Sequence, residues 1–171
     1  MKRNFLLILL ILPLLSAGQV DFSRYFKNKS LRFDFLLGGN SNEVVVYPQQ
    51  MKQEPHWGGS KTNLIDSFGY GTYRFRVFDL KSDSLIFSKG FSTLFQEWQT
   101  TAEAKNTDRT FYQAAIFPFP KNEVRLEIDA RQWEGDFKNI YKAEIDPDDY
   151  FILKEEPADF ETFNVLENGK P

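Results

Sequence analysis

The sequence predicts an all-β protein, an antiparallel β-sandwich of immunoglobulin-like or jelly-roll-like type with one short capped helical turn. Short apolar runs alternate with polar residues at period two between turn signals, and helical periodicity is almost missing. Aromatic residues make up 16% of the chain, with 18 Phe, so a sizeable core can form although there is no Cys. Short, closely spaced strands with an aromatic core favour two packed sheets.

The first two predicted strands precede a polar stretch. "LRFDFLLGG" places Leu31, Phe33 and Phe35 on one face and ends at a Gly-Gly pair. "EVVVYP" is a β-branched run that Pro48 should end. Residues 49–63 are polar, which predicts a loop.

The next two strands form the predicted hairpin. "GTYRFRVFDL" places Tyr73, Phe75 and Val77 on one face and two arginines on the other. A polar turn at residues 81–83 follows, and "SLIFSKGF" returns along the first strand.

The second half of the chain predicts three more strands. "TFYQAAIFPFP" and "NEVRLEIDAR" are expected to pair with each other. Pro118 and Pro120 exclude a continuous central strand at that point and predict a corner. "FKNIYKAEIDP" is the last predicted strand and closes at an Asp-Pro pair.

Residues 1–18 have the pattern of a secretory signal peptide. A basic start precedes an apolar stretch over residues 5–15, which is too short for a membrane span, and small residues follow at 16–18. We expect a mature chain that begins at Gln19, is secreted or held in the periplasm or at the cell surface, and keeps no membrane span. The lack of Cys excludes attachment of a lipid through a lipobox thiol.

Residues 19–153 form the predicted β-sandwich domain. From residue 154 the chain is acidic and contains proline, and residues 154–171 are predicted to be a linker toward a C-terminal domain that this chain lacks. The formal net charge of −3 argues against nucleic acid as a partner, because affinity for phosphates needs a basic surface. No basic amphipathic stretch suggests binding to a membrane surface.

Two carboxylates, Glu97 and Glu103, stand close together in "LFQEWQTTAEAKNTDRTF". A glycosidase places two such acids across its cleft, but sequence spacing does not identify such a pair. Thr100 and Glu103 also have the spacing of a capping box, which predicts a short helical turn at residues 102–105. The structural interpretation is therefore favoured over a catalytic one.

The sequence contains no recognisable metal or nucleophile motif. His56 is the only histidine, whereas zinc sites use several His, Cys or carboxylate ligands, and no HExxH or GxSxG motif is present. Asp146, Asp148 and Asp149 supply clustered oxygens of the kind that calcium binds, but they lack the EF-hand spacing and Asp before Pro is common in turns. We therefore assign no catalytic residue, no metal ligand and no cofactor to this chain.

Several aromatic residues are candidates for ligand binding. Trp57, Tyr70, Trp98 and Trp133 can form either a stacking platform for sugar rings or a peptide, or parts of the core. Trp57 is the strongest candidate for a platform because it lies in a polar stretch. Trp57, Tyr70, Glu97 and Trp98 are the candidate binding residues, although the position of Trp98 after an apolar strand end favours packing.

Three segments carry a family resemblance. "HWGGSKTNLIDSFGYGTYRFRVFD", "LIFSKGFSTLFQEWQTTAEA" and "RTFYQAAIFPFPKNEVRLEI" resemble the N-terminal domain of the secreted IgA-peptidase-like zinc metallopeptidases, metallopeptidase family sixty-four. The similarity covers residues 25–147, and "FQEWQTTAEA" and "FPFPK" are its most distinctive parts. The resemblance implies a β-sandwich that precedes a zinc peptidase domain with an HExxH helix. Nothing in this chain matches that helix, so zinc is expected only in the missing domain.

The resemblance implies a non-catalytic domain that scaffolds the peptidase domain of the same polypeptide or positions a glycoprotein substrate. The alternative is a stand-alone module that binds a glycan or a peptide, and a small hydrolase is a third, weaker hypothesis. The tail "FNVLENGKP" resembles the connection into the peptidase domain. A reading frame that continues into an HExxH segment would distinguish the first hypothesis from the second.

We predict that the secreted protein begins at Gln19, because the small residues at 16–18 end the apolar stretch. Intact-mass measurement or N-terminal sequencing of secreted material checks this. Secreted protein that retains residues 1–15 would contradict it.

Overall fold

The computed structural model describes residues 19–159 and 161. The predicted signal peptide and most of the predicted linker lie outside these residues. Within them, eight strands form two four-stranded sheets that face each other, so the predicted β-sandwich is confirmed. The strands are β1 Phe26–Gly39, β2 Val44–Glu54, β3 Tyr73–Asp79, β4 Leu85–Phe91, β5 Arg109–Pro120, β6 Val124–Arg131, β7 Phe137–Ile145 and β8 Ile152–Lys154.

The first sheet has the strand order β5-β1-β2-β8 and the second the order β4-β3-β6-β7. All pairs are antiparallel except β2 and β8, which run parallel. The predicted hairpin is confirmed, with Tyr73 opposite Phe91 and Val77 opposite Phe87. Its side chains alternate between the core and the outer face as expected, because successive residues of a strand point to opposite sides.

The predicted pairing of β5 with β6 is wrong. β5 pairs with β1, whereas β6 pairs with β3 and β7, so the chain changes sheets across residues 121–123. The prediction that Pro118 and Pro120 exclude a central strand is confirmed, since β5 lies at the edge of its sheet, although the strand itself continues to Pro120. A residue without an N–H is tolerated in an edge strand, which has pairing partners on one side only.

The end predicted for β2 is also wrong. Pro48 lies inside the strand, which continues to Glu54 and therefore includes part of the predicted loop. The register shifts there, because Asp34 is opposite Gln50 while the next residue, Phe35, is opposite Pro48. The bulge accommodates the proline, and polar residues follow because this part of β2 is largely exposed on its outer face.

Aromatic rings connect the two sheets at the centre of the molecule. Phe117 of the first sheet has its ring centroid 6.3 Å from that of Phe75 and 6.4 Å from that of Phe87, both in the second sheet. Phe33 and Tyr141 stack across the sheets at 5.6 Å. Tilted and stacked aromatic contacts of this kind add to the hydrophobic gain of burial.

Three short helical segments lie outside the sheets: α1 Phe22–Tyr25, α2 Leu94–Gln99 and a 3₁₀ turn Glu103–Lys105. Among the residues that the structure describes, none of the helices is long and apolar enough to cross a lipid bilayer. The sequence prediction placed the single helical turn at residues 102–105, where only the 3₁₀ turn is found.

Candidate functional site

A threonine side chain caps helix α2, whereas the 3₁₀ turn at Glu103–Lys105, for which Thr100 was the predicted cap, has no side-chain cap. The hydroxyl of Thr93 accepts a hydrogen bond from the backbone N–H of Gln96 at 3.3 Å and caps the helix N-terminus. Thr100 lies at the C-terminus, where its hydroxyl donates to the carbonyl of Glu97 at 2.7 Å. The capping box predicted at Thr100 and Glu103 is therefore wrong. Thr93 and Gln96 have the same spacing, so that pair was the signal to use.

Glu103 has a structural role in this segment. One carboxylate oxygen accepts from Trp98 Nε1 at 3.1 Å, and the other lies 2.6 Å from a guanidinium nitrogen of Arg109 at the start of β5. Gln99 donates its side-chain amide to the carbonyl of Asn40 at 2.7 Å and so joins α2 to the end of β1. Glu97 is exposed on the helix. The segment thus joins β4 to β5 and β1 through local contacts.

The burial expected of Trp98 is confirmed. Its side chain is 8% exposed, and its ring lies 5.8 Å from both Phe95 and Phe111. The indole N–H is satisfied by Glu103, as a buried Trp requires. Trp98 therefore contributes a packed aromatic ring at this end of the sandwich.

Trp57 is half-buried in the loop between β2 and β3. Its ring meets Phe87 edge-on at 5.8 Å, and its Nε1 donates to the carbonyl of Ser60 at 3.1 Å. Gly59 lies against the indole, since a Cβ there would be 2.3 Å from a ring carbon. Core and loop contacts therefore cover much of the Trp57 ring.

A cleft of about 520 Å³ opens beside Trp57 along the edge of β4. Its lining combines aromatic rings with polar side chains, including Trp57, Asn63, Asp66, Phe68, Ser88 and Lys89. A concave site with an apolar part and a few polar groups is the usual form of a small-ligand site.

Tyr70 stacks on Phe68, which lines this cleft. The two rings are 5.7 Å apart with an interplanar angle of 15°, and they are 77% and 75% exposed. Asp66 fixes the turn that carries them, since its carboxylate accepts from the N–H groups of Phe68 at 2.9 Å, Gly69 at 3.3 Å and Gly90 at 3.1 Å. Sequence reasoning missed Phe68, although its position in the polar stretch "DSFGYG" resembles that of Trp57.

Arg131 links this turn to the turn between β6 and β7. Its guanidinium donates to the carbonyls of Gly69, Gly71 at 3.0 Å and Gly135 at 2.7 Å. The same β6–β7 turn carries Trp133, which is 99% exposed. Of the four candidate binding residues, Trp57 and Tyr70 lie in the loop between β2 and β3, whereas Glu97 and Trp98 lie in α2.

The outer face of the second sheet carries a network of ion pairs centred on buried Asp129. One oxygen of its carboxylate lies 2.7 Å from Arg74 Nε and 2.8 Å from Arg76 Nε, and the other accepts from the Asn139 amide at 3.1 Å. Burial alone would raise the pKa of Asp129, but hydrogen bonds from Arg74, Asn139 and Arg76 outweigh it and lower the pKa below its ordinary value of 3.8.

The outer face of the first sheet holds a similar buried carboxylate. Asp34 accepts from Arg32 Nε at 2.7 Å and from the Gln50 amide at 3.0 Å, and Arg32 also donates to the Tyr112 hydroxyl at 2.8 Å. Burial would raise the pKa of Asp34, but hydrogen bonds from Tyr112, Arg32 and Gln50 lower it. Both buried aspartates are therefore held ionised by partners within their own sheets.

The residues described do not fit a zinc site. Zinc needs about three or four nitrogen, sulfur or carboxylate ligands, and no three His, Cys, Asp or Glu side chains lie close enough to hold an ion within residues 19–159 and 161. His56 is exposed, and its backbone carbonyl accepts from Ser30 at 2.6 Å. Asp146 and Asp149 accept backbone N–H groups in their own turns, at 2.9 Å each.

Comparison with known families identifies the family of this chain. A family model described as Peptidase M64 N-terminus matches residues 21–142, which is more than two thirds of the chain. The matched region includes both sheets, apart from the end of β7 and β8, and all of the aromatic residues discussed above. No curated protein matches the sequence.

We predict that Trp98→Ala lowers the Tm by about 10 °C, because truncation of a buried aromatic costs about 3–5 kcal/mol. Thermal unfolding followed by circular dichroism measures the change. Trp133→Ala is the control, since that side chain is almost fully exposed, and its Tm should stay close to that of the wild type. Equal Tm values for the two variants would contradict a packing role for Trp98.

We predict that the ion pairs of Asp129 make the protein sensitive to acid. Because its pKa is lowered in the folded state, its contribution to stability is present above pH 3.8 and is lost as the pH falls through the folded pKa. Asp129→Asn should cost about 3 kcal/mol at pH 7, since it leaves two arginines without their shared carboxylate. Urea unfolding from pH 7 to pH 2 should show the wild type and the variant converging in acid.

Asp148→Asn is the control for this experiment, because Asp148 is exposed. Its unfolding free energy should follow that of the wild type across the whole pH range. A constant difference between wild type and Asp129→Asn down to pH 2 would contradict the role given to the Asp129 carboxylate.

Proposed function

The chain belongs to the peptidase M64 N-terminus family, and we propose that it is a non-catalytic accessory domain of a secreted zinc metallopeptidase. In this proposal the domain positions a glycoprotein substrate, such as immunoglobulin A, for the peptidase domain of the same polypeptide. The zinc ion and the catalytic residues belong to that peptidase domain. The domain acts outside the cytoplasm, as the predicted signal peptide requires.

The use of the buried carboxylates carries the non-catalytic part of the proposal. A general acid needs a carboxyl whose pKa lies near the working pH, which burial without an ionic partner produces. Asp34 and Asp129 have the opposite environment, because hydrogen bonds lower their pKa values, from Tyr112 and Arg32 for Asp34 and from Arg74 and Asn139 for Asp129. Glu103 is likewise engaged with Trp98 and Arg109. These acids are committed to holding strands and loops together.

The substrate-positioning part rests on the loops at the Tyr70 end of the sandwich. Phe68, Tyr70 and Trp133 are exposed there on short connections between strands, next to the cleft beside Trp57. Binding residues are commonly carried on loops that a rigid scaffold positions. The same observation favours the second candidate function, a stand-alone module for a glycan or a peptide. The two functions differ in whether binding assists a peptidase.

We predict three results from a comparison of this chain, the peptidase domain of a family member, and the two joined in one polypeptide. The chain alone should not cleave immunoglobulin A or casein. The joined protein should have a KM for immunoglobulin A about tenfold below that of the peptidase domain alone, which corresponds to about 1.4 kcal/mol of added binding. Both should have the same kcat on a short peptide, because the accessory domain does not touch the reacting bond.

Two outcomes would contradict the proposal. Cleavage by the chain alone that disappears in His56→Ala would make it an enzyme in its own right. A KM for immunoglobulin A that is the same with and without the domain would exclude a role in positioning the substrate. Zinc content measured by elemental analysis provides a separate check, since the isolated chain should not hold one zinc ion per molecule.

A further inference from the structure

The turn 66–71 presents two large aromatic side chains to solvent in a fixed arrangement. Phe68 and Tyr70 stack nearly parallel, and three quarters of each side chain is exposed. Aromatic rings of this size bury about 150–250 Å² when they are covered, and removing that apolar area from water is favourable. Two adjacent rings that stay exposed therefore lack the stabilisation that burial in the core would give them.

Hydrogen bonds on both sides of the turn hold the rings in place. The Asp66 carboxylate accepts hydrogen bonds from the N–H groups of Phe68 and Gly69, and also from the N–H of Gly90 in β4. Arg131 binds the carbonyls of Gly69 and Gly71 from the other side. The exposed rings thus belong to a rigid turn, and a pre-organised binding surface loses little conformational entropy when a ligand binds.

The backbone of the turn depends on its glycines. Gly69 and Gly71 have φ values of 63° and 96°, in the region that disfavours other residues. A Cβ on Gly71 would also lie 2.6 Å from the carbonyl oxygen of Phe91. The turn therefore lies directly against β4, which positions Phe68 at the mouth of the cleft and Tyr70 outside it.

A third exposed ring lies on the neighbouring turn. Arg131 contacts both Gly71 and Gly135, and a guanidinium spans only a few ångström, so the turn that carries Trp133 lies beside the turn that carries Tyr70. We use the term aromatic platform for the three exposed residues Phe68, Tyr70 and Trp133. The platform is formed by two turns that are far apart in sequence and joined by one arginine.

We propose that the aromatic platform and the adjoining cleft bind a saccharide, with the rings of Phe68 and Tyr70 stacking against pyranose faces. A sugar ring offers C–H groups to an aromatic face and hydroxyls to polar side chains at its edge. The cleft supplies both kinds of contact, because its lining includes Phe68 together with Asn63, Ser67 and Lys89. This inference rests on the proposed function and specifies the part of a glycoprotein that the domain recognises.

The lining of the site favours a saccharide over an apolar protein surface. Protein interfaces have a core that excludes charged side chains and combines aromatic with other apolar residues. Here Phe68 shares the cleft with serine, asparagine and lysine, and the residues near Trp133 along the second turn are the exposed polar residues Gln132, Glu134 and Asp136. Flat rings with polar neighbours are suited to a ligand that is itself polar at its edges.

The test uses the complete 171-residue chain and three neutral trisaccharides, made of N-acetylglucosamine, mannose or glucose. Isothermal titration calorimetry with sugar up to about 10 mM detects a Kd in the millimolar range or below. We expect at least one trisaccharide to bind with saturation. The double variant Phe68→Ala, Tyr70→Ala should raise its Kd at least tenfold without changing the Tm, because both side chains are exposed.

The chain contains a matched control pair. Tyr150 and Phe151 are also adjacent and exposed, at 91% and 76%, but they precede β8 and lie outside the cleft beside Trp57. The double variant Tyr150→Ala, Phe151→Ala should bind the trisaccharide as the wild type does. A quench of tryptophan fluorescence on sugar binding should also be reduced in Trp133→Phe.

Three results would overturn the inference: no binding of any trisaccharide, equal losses in the two double variants, or saturable binding of an apolar peptide with no binding of sugar. The last would identify a protein-docking surface. A KM effect that persists on enzymatically deglycosylated immunoglobulin A would leave the proposed function intact while the saccharide inference fails. Sugar binding without any effect on KM would support the saccharide inference and contradict the proposed function.

Discussion

The contact of Phe117 with Phe75 and Phe87 is the interaction on which the rest of the structure depends. The sequence has no cysteine, so no disulfide joins the two sheets, and the chain crosses between them only through loops. Close aromatic packing must therefore hold the sheets face to face. Once this distance is fixed, the strand edges and the loops at both ends of the sandwich have defined positions.

The outer faces add a second constraint, which concerns register. Asp34 and Asp129 are buried within rows of outward side chains, and each is bound by arginine or amide groups from neighbouring positions on the same sheet. A shift of one residue in either register would turn these groups toward the core and leave a charge without its partner. Aromatic packing thus sets the separation of the sheets, while the buried carboxylates favour one alignment of the strands.

The exposed rings lie on loops at the end of the rigid sandwich. Loops carry polar backbone groups that must be satisfied, and here Asp66 and Arg131 satisfy them while orienting Phe68 and Tyr70 outward. The segment containing Glu97 and Glu103 uses the same kind of local bonding for a different result, because it buries its Trp98 ring. Two connections that carry aromatic residues therefore have opposite exposure, one contributing to packing and the other presenting a surface.

The sequence by itself determined the all-β class, the β3–β4 hairpin and the inward face of β1, because alternation along one strand and the turn after it are local signals. Only the tertiary structure decided that β5 pairs with β1. It also decided which threonine caps a helix, since Thr93 and Thr100 are each followed three residues later by Gln or Glu but only Thr93 caps one. The exposure of Phe68 and the partial burial of Trp57 likewise depend on packing. Where a sequence pattern is compatible with two positions, the packing of the folded chain decides between them. The contacts of Arg131 with Gly69 and Gly71 join residues about sixty positions apart, and such contacts exist only after β3 and β6 have paired in the second sheet.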